Sequence, residues 1–392
     1  MKITELEVLT VRLSTVSGDI ADGAHDNVIV RVHTDEGITG VGEVDAPPSV
    51  IKAIIEAPTS MLWARGFKDL ILGEDPTEPA RIWEKVYEGN IYAGRRGLGI
   101  NALGAIDMAL YDIAGKALGV PAYKLLGGAV GRPEYREVGG SSRRAVVPYA
   151  SILPYGDSTK EYREDGFAKL DDAVAKGFRA AKMEILYADR DTDEELLNFV
   201  AACRKRIGAD VDLHVDVGYR WADSKRAIRA ARAMEEHNVY FLEAPLHSDN
   251  VRGYMELAEA TTTRIAVGEM LTTRYEFIEA MDRGGVSVVQ PNVGRVGGLT
   301  EALRVGRLAH DRGLLCIPHA WKSGISIAAN LHLSAALPNS PYFEFMVTTN
   351  VSDVRRRLVP REFELRDGYI ALPDEPGLGV DIDDAVVASY AV

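Results

Sequence analysis

Val211–Asp216 (VDLHVD), Tyr240–Pro245 (YFLEAP) and Ile265–Met270 (IAVGEM) share one pattern, a short apolar run that stops at an acid: Asp216, Glu243 and Glu269 respectively. A run of this length reads as a buried strand, and each is followed by a helical pattern before the next run begins. The same rhythm extends back to runs ending at Tyr149 and Lys182, and forward to runs ending at Asn292, His319 and Glu344. Successive run ends lie 23 to 34 residues apart, the length that a strand, a helix and two short connections require. Eight such units close into an α/β fold of the TIM type, a (β/α) barrel, here in modified form.

With 392 residues the chain exceeds a barrel of about 250 and leaves room for a second, smaller domain. The N-terminal part reads as strands Lys2–Leu13 and Asn27–Val44, separated by the polar loop Ser14–His25 and broken at Asp35-Glu36-Gly37. That is a meander of half-buried strands. Helical patterns follow at Pro79–Tyr87 and Asn101–Gly119, the second with a glycine stop. Residues 1–130 are therefore expected to form an α+β capping domain and 131–355 the barrel. The tail Gly368–Val380 is a strand with turn chemistry, and 356–392 are expected to return to the cap.

A net charge of −13 argues against nucleic acid or an anionic membrane surface as partner. No run of 18 apolar residues is present and the start lacks the pattern of a signal peptide, so the cytoplasm is the expected location. Cys203 and Cys316 stand in apolar patterns without ligand spacing and read as buried thiols. Gly294–Gly298 and Gly127–Gly131 lack a full dinucleotide or P-loop fingerprint.

Strand ends of a parallel barrel meet on one rim, so Asp216, Glu243 and Glu269 are expected side by side. One acid after a strand is commonly a helix cap. Three on consecutive strands would repel one another unless a cation joined them, and an all-oxygen set selects a hard ion, Mg²⁺ first and Mn²⁺ second. Lys182 and Glu184 sit two apart and share the inward face of their strand, where they are expected to pair. His319 and Glu344 approach from the other side, while His214 points inward one layer below the metal. A metal flanked by a cation and an imidazole is a site for moving a proton at a carbon beside a carboxylate.

These residues resemble the enolase superfamily, in its mandelate racemase subgroup. The likeness runs from Gly37–Glu43 (GITGVGE) through Gly104–Gly119 and Leu125-Leu126-Gly127-Gly128 to Gln290-Pro291, Gly297-Gly298 and Pro376–Gly379. The resemblance implies a cap closing over the barrel, Mg²⁺ on Asp216, Glu243 and Glu269, abstraction of the proton α to a carboxylate, and a homo-oligomer. It also implies that Glu344 donates a hydrogen bond to the substrate carboxylate. Two positions depart from the family's pattern. Its second strand commonly ends Lys-x-Lys, whereas here the pair is Lys182-Met183-Glu184; its sixth commonly presents an Asp to the histidine, whereas here Asn292 stands there. An amide cannot favour the imidazolium as a carboxylate would, so His319 is expected to be the weaker base.

Racemisation needs competent groups on both faces of the substrate, but β-elimination can run on His319 alone. The expected activity is therefore dehydration of an acid sugar to a 2-keto-3-deoxy acid. Epimerisation or cycloisomerisation with Glu184 as second base is the alternative; a metal-dependent hydrolase and a catalytically silent metal-binding relative are the rival classes. Asp19, Asp22 and His25 in the cap loop, with Tyr149 and Trp321 on the barrel, are the candidate substrate contacts.

Overall fold

The computed structural model describes residues 1–13, 25–44, 46–128, 145–186, 191–347 and 356–392. Strands β1 (Ile3–Arg12), β2 (Asp26–Thr34) and β3 (Thr39–Val44) form an antiparallel meander. Alternate residues of β2 serve different cores: Val28, Val30 and Val32 pack in the N-terminal layer, whereas Ile29 belongs to the larger core that surrounds the barrel. The meander is thus more deeply covered than its alternation predicts, because the chain's last residues return to it. Val392 donates its N–H to the Thr10 carbonyl at 3.0 Å, and Ala391 bridges Val11.

The helix Leu98–Leu118 is buried without a break from Gly99 to Gly115, so it needs apolar residues on every side. Against β3 the approach is close enough to exclude side chains. A Cβ on Gly40 would stand 2.1 Å from the Ala109 carbonyl oxygen, and one on Gly42 1.9 Å from that of Ala105. On the barrel side, Asp107 accepts the Thr300 N–H at 2.9 Å and its hydroxyl at 2.6 Å, satisfying the first turn of the helix Gly298–Asp311. A second acid joins the layers at the end of β3. Buried Glu43 accepts the backbone N–H groups of Ser323 (3.1 Å) and Ser326 (2.6 Å), the Ser323 hydroxyl (2.8 Å) and the Asn27 amide (2.5 Å). It thereby caps the helix Gly324–Ala336 from outside and fixes the segment that follows His319.

After β4 (Ala145–Val146), the barrel strands are β5 (Pro148–Ile152), β6 (Ala180–Glu184), β7 (Asp212–Asp216), β8 (Val239–Glu243), β9 (Arg264–Val267), β10 (Val288–Val289), β11 (Leu315–Cys316) and β12 (Phe343–Met346). They form one eight-stranded parallel sheet in the order β11-β10-β9-β8-β7-β6-β5-β12. Among the described residues no ladder joins β11 to β12, and this seam is the modification of the barrel. Two bonds cross nearby: Cys316 N–H to the Asn339 carbonyl at 3.0 Å, and Ala320 N–H to Glu344 Oε2 at 2.8 Å. Within the tail, β13 (Leu365–Arg366) and β14 (Tyr369–Ala371) pair with β4, and contact with the N-terminal layer begins further on, where Leu378 N–H donates to Asp112 Oδ1 at 2.9 Å. Both cysteines are buried, and no described helix is long and apolar enough to cross a membrane.

Gly298 takes φ +87°, and a Cβ there would lie 2.3 Å from Asp107 Oδ2. Gly298→Ala is therefore expected to cost at least about 2 kcal/mol, through left-handed backbone strain and a spoiled Asp107 cap. Urea unfolding would show a lowered midpoint; an unchanged midpoint would mean that this junction is looser than drawn.

Candidate active site at the barrel mouth

The parallel register sets the rim: Lys182 lies beside His214, Glu184 beside Asp216, and Asp216 beside Glu243. Because side chains alternate along a strand, Ala181 and Met183 join the core beneath the helices, while Lys182 and Glu184 turn inward. Glu269 stands two residues beyond β9, after Gly268 at φ +138°. A cavity of ≈ 290 Å³ opens at these strand ends, walled by Glu184, Asp216, Tyr219, Glu269, Arg295, His319 and Trp321.

Lys182 is buried and its ammonium is committed to carboxylates. It stands 2.8 Å from Glu344 Oε1, 3.0 Å from Glu243 Oε2 and 3.5 Å from Asp216 Oδ2. Burial alone would lower its pKa, but Glu243 and Glu344 outweigh that and raise it well above the ordinary lysine value. The expected Lys182–Glu184 pair is not formed. Residues two apart on a strand share a face but need not touch, and the acids of neighbouring strands claim the ammonium; Glu184 meets Ser151 instead, at 2.8 Å.

Glu344 accepts from three donors: Lys182, the Ser151 hydroxyl at 2.8 Å and the Ala320 N–H. Burial would raise its pKa, yet Lys182 and His319 hold it well below the ordinary carboxylate range. In this geometry Glu344 accepts hydrogen bonds and has no proton to donate. Tyr149, expected at the substrate, is fully buried; its ring packs edge-on to His214 at 4.8 Å and to Phe241 at 6.2 Å, one layer below the cavity. The reason is strand length: β5 runs on to Ile152, which places Ser151 at the level where Tyr149 was expected. His214 itself is buried among Tyr149, Phe241, Tyr240 and Tyr342, and burial drives its pKa well down, so the ring is neutral.

His319 lies between two partners. Asn292 Oδ1 accepts the Gly294 N–H at 2.8 Å, which turns the amide so that Nδ2 faces His319 Nδ1, also at 2.8 Å. An amide nitrogen can only donate, so the ring carries its proton on Nε2, 3.0 Å from Glu269 Oε2. Burial lowers the His319 pKa, and Glu344 and Glu269 more than restore it. The carboxylates thus draw the ring toward the imidazolium while Asn292 opposes a proton at Nδ1.

Asp216, Glu243 and Glu269 form an all-oxygen set, but among the described residues no group of three such side chains is placed to hold an ion as it stands. Glu269 is turned to His319 and to the Tyr219 hydroxyl, 2.9 Å away. Asp216 and Glu243 nevertheless lack positive charge. Burial raises the pKa of both, each raises the other through its charge, and Glu243 Oε1 is buried without a hydrogen-bond partner. Two like charges 4 Å apart repel by about 4 kcal/mol at an effective dielectric of about 20, which a hard divalent cation would reverse. The donor set therefore fits such an ion.

Of the other expected contacts, Trp321 lines the cavity, whereas His25 stands beside Asp26, whose carbonyl accepts from Lys322 Nζ at 2.8 Å. Asp19 and Asp22 lie outside the described residues. Three side chains escaped the sequence reading. Ser151 was recoverable as the residue two beyond Tyr149. Tyr219, at φ +61°, and Arg295 follow strand ends directly, the position from which barrels draw their site residues.

Replacing Asn292 with Asp puts an acceptor against Nδ1. The ring proton should then move to Nδ1, and the His319 pKa should rise by about 1 unit or more. Imidazole ¹⁵N shifts of the metal-free protein report the tautomer directly; an Nδ1-protonated ring already present before the substitution would contradict this geometry.

Comparison with known proteins agrees with this architecture. Residues 12–127 match the model of the mandelate racemase / muconate lactonizing enzyme N-terminal domain, and residues 167–386 that of the enolase C-terminal domain-like family. An arabinonate dehydratase of Saccharolobus solfataricus is 32% identical over 95% of this chain and 92% of its own length. A D-galactarolactone cycloisomerase of Agrobacterium fabrum is 29% identical, over 100% and 99%. The crystal structure of a racemase from Streptomyces coelicolor A3(2) with bound magnesium superposes with a TM-score of 0.81 at 26% identity, covering 100% of both chains.

Proposed function

The chain belongs to the mandelate racemase / muconate lactonizing enzyme family of the enolase superfamily, and from that premise we propose that it dehydrates an acid sugar to a 2-keto-3-deoxy acid. The observation that carries the reading is the composition of one cavity wall, where the imidazole of His319 faces the carboxylates of Asp216, Glu269 and Glu184. Lys182 is spent on its carboxylates and is no base, which leaves His319 as the group to take a proton from carbon.

Asp216, Glu243 and Glu269 would hold Mg²⁺, whose charge stabilises the oxyanion that enolisation of a carboxylate creates. The chain's own residues do the rest. His319 Nε2 takes the α-proton once Asn292 presents its oxygen to Nδ1, a turn that exchanges the Gly294 hydrogen bond for one to the ring. Arg295 on the wall offers a positive charge to the anionic substrate. Trp321, Leu153 and Leu186 supply apolar wall against which the sugar carbons rest and from which water is displaced. The two serine N–H bonds from Glu43 hold the segment beyond His319 rigid, so that the imidazole is presented at a fixed height.

Incubation in Mg²⁺ and D₂O with arabinonate, D-galactonate and related acid sugars tests this reading. Keto-deoxy acid should form, and His319→Asn should reduce it about 100-fold or more. Deuterium at the α-carbon without dehydration would move the assignment to epimerisation, and ring opening of a lactone to cycloisomerisation. Hydrolysis without exchange would end the enolisation reading. Metal binding has its own check. Saturating Mg²⁺, at roughly 100 times its Kd, should stabilise the protein by about 2.7 kcal/mol, and Asp216→Asn should erase that shift in thermal unfolding.

A further inference from the structure

Ser151 Oγ lies 2.8 Å from Glu184 Oε1 and also 2.8 Å from Glu344 Oε1. A hydroxyl owns one proton and can donate to only one of them. Were both carboxyls ionised, the other contact would set lone pair against lone pair in a buried site, where an unmade hydrogen bond is costly. The arrangement closes only with a second proton on one carboxyl. Glu344 cannot be that carboxyl, because its oxygens already accept from the Lys182 ammonium and the Ala320 N–H, neither of which can turn into an acceptor.

Resting on the enolisation reading above, we infer that Glu184 is a carboxylic acid in the resting protein, donating to Ser151, which donates to Glu344, and that this stored proton is the general acid for the departing β-hydroxyl. Glu184 lines the cavity, on a strand four positions from the one that precedes His319 in the sheet. The charged groups around it are Lys182 on its own strand, Asp216 on β7, Glu243 on β8 and Glu344 on β12. Three of these four are acids. Burial, with the charges of Glu344 and Glu243 adding to it, pushes Glu184 up to about 8 against the pull of Lys182. That agrees in direction with the hydrogen-bond count.

The proton balance is as follows. His319 takes the α-proton, the C–H electron pair becomes the enediolate double bond, and that pair then expels the β-oxygen. Rotation about the Glu184 Cγ–Cδ bond carries its O–H from Ser151 to the departing oxygen, so that water leaves and Glu184 becomes a carboxylate. When the enol product ketonises, its O–H proton passes to Glu184, and the imidazolium returns its own proton to the β-carbon. Ser151 is a positioning residue, since it touches only the two glutamates.

Infrared difference spectra locate the stored proton without any substrate. Metal-free protein at pH 7 should show a protonated-carboxyl carbonyl band that Glu184→Gln removes, and absence of that difference would overturn the assignment. Turnover of arabinonate or D-galactonate in Mg²⁺ and D₂O then tests its use. Glu184→Gln should keep α-deuteration while losing keto-acid formation by about 100-fold or more. Loss of neither would overturn the acid role, and so would loss of both in equal measure. Ser151→Ala should lower keto-acid formation more than exchange, with Ser151→Thr restoring it; equal losses for Ala and Thr would reduce Ser151 to packing. If the unaltered protein exchanges no α-proton in any acid sugar, enolisation itself fails, while the infrared band still decides where the proton resides.

Discussion

One buried ammonium organises the barrel mouth. Lys182 touches carboxylates from β7, β8 and β12, which are otherwise held apart by their own repulsion. An unpaired charge at such depth would be neutralised by a shift of pKa, so lysine and acids are each kept ionised only by the other. The balance is still incomplete. Asp216, Glu184, Glu243, Glu269 and Glu344 bring five carboxyls against Lys182, Arg295 and a histidine. The shortfall must be met by a cation or by protons, and the strand positions decide which. Asp216, Glu243 and Glu269 stand on three neighbouring strands with an oxygen lacking a partner among them, whereas Glu184 has a serine hydroxyl beside it.

Buried acids also join the layers, by a different route. Glu43 and Asp107 have no ammonium partner; they are satisfied by backbone N–H groups and hydroxyls at the first turns of barrel helices. Donors of this kind carry partial charge that cannot titrate, and the helix dipole adds to them. An acid from the N-terminal layer thus reaches two successive barrel units, those carrying Asn292 and His319. Glycine makes the reach possible, because Gly40, Gly42 and Gly298 remove the side chains that would hold the layers apart. The imidazole and its amide are consequently positioned from above as well as from the barrel.

The repeat of eight run ends was legible because a parallel barrel forces similar strand and helix lengths, and buried strands leave nearly uninterrupted apolar runs. Which residues share the inward face was legible as well, since alternation is local. Partnership was not, because it depends on register between strands: Lys182 could be placed on the face of Glu184, but its pairing with Glu243 and Glu344 required knowing what lay to either side. Tyr149 shows the other limit. A strand that ends in small residues, Ala150 and Ser151, gives no clear stop, and an error of two residues there moves a side chain from the cavity to the layer beneath. Open seams are equally hidden, since β11 and β12 differ from their neighbours in pairing and not in pattern.

The two departures from the family's usual residues can be understood as one electrostatic change. Placing Glu184 where a lysine is common alters the formal charge of that flank by two units, and placing Asn292 where an aspartate is common removes one negative charge from the other. Left ionised, Glu184 would face Glu344 across Ser151 and compete with it for Lys182. Holding a proton, it adds no charge and becomes a donor on a flank that would otherwise offer a base. Asn292 works in the same direction, since its amide disfavours a proton on Nδ1 while Glu269 and Glu344 favour the imidazolium. A site with a restrained base on one flank and a charged-neutral acid on the other is poorly matched to racemisation, which asks the same basicity of both. It is better matched to elimination, in which one group removes a proton and a different one delivers it.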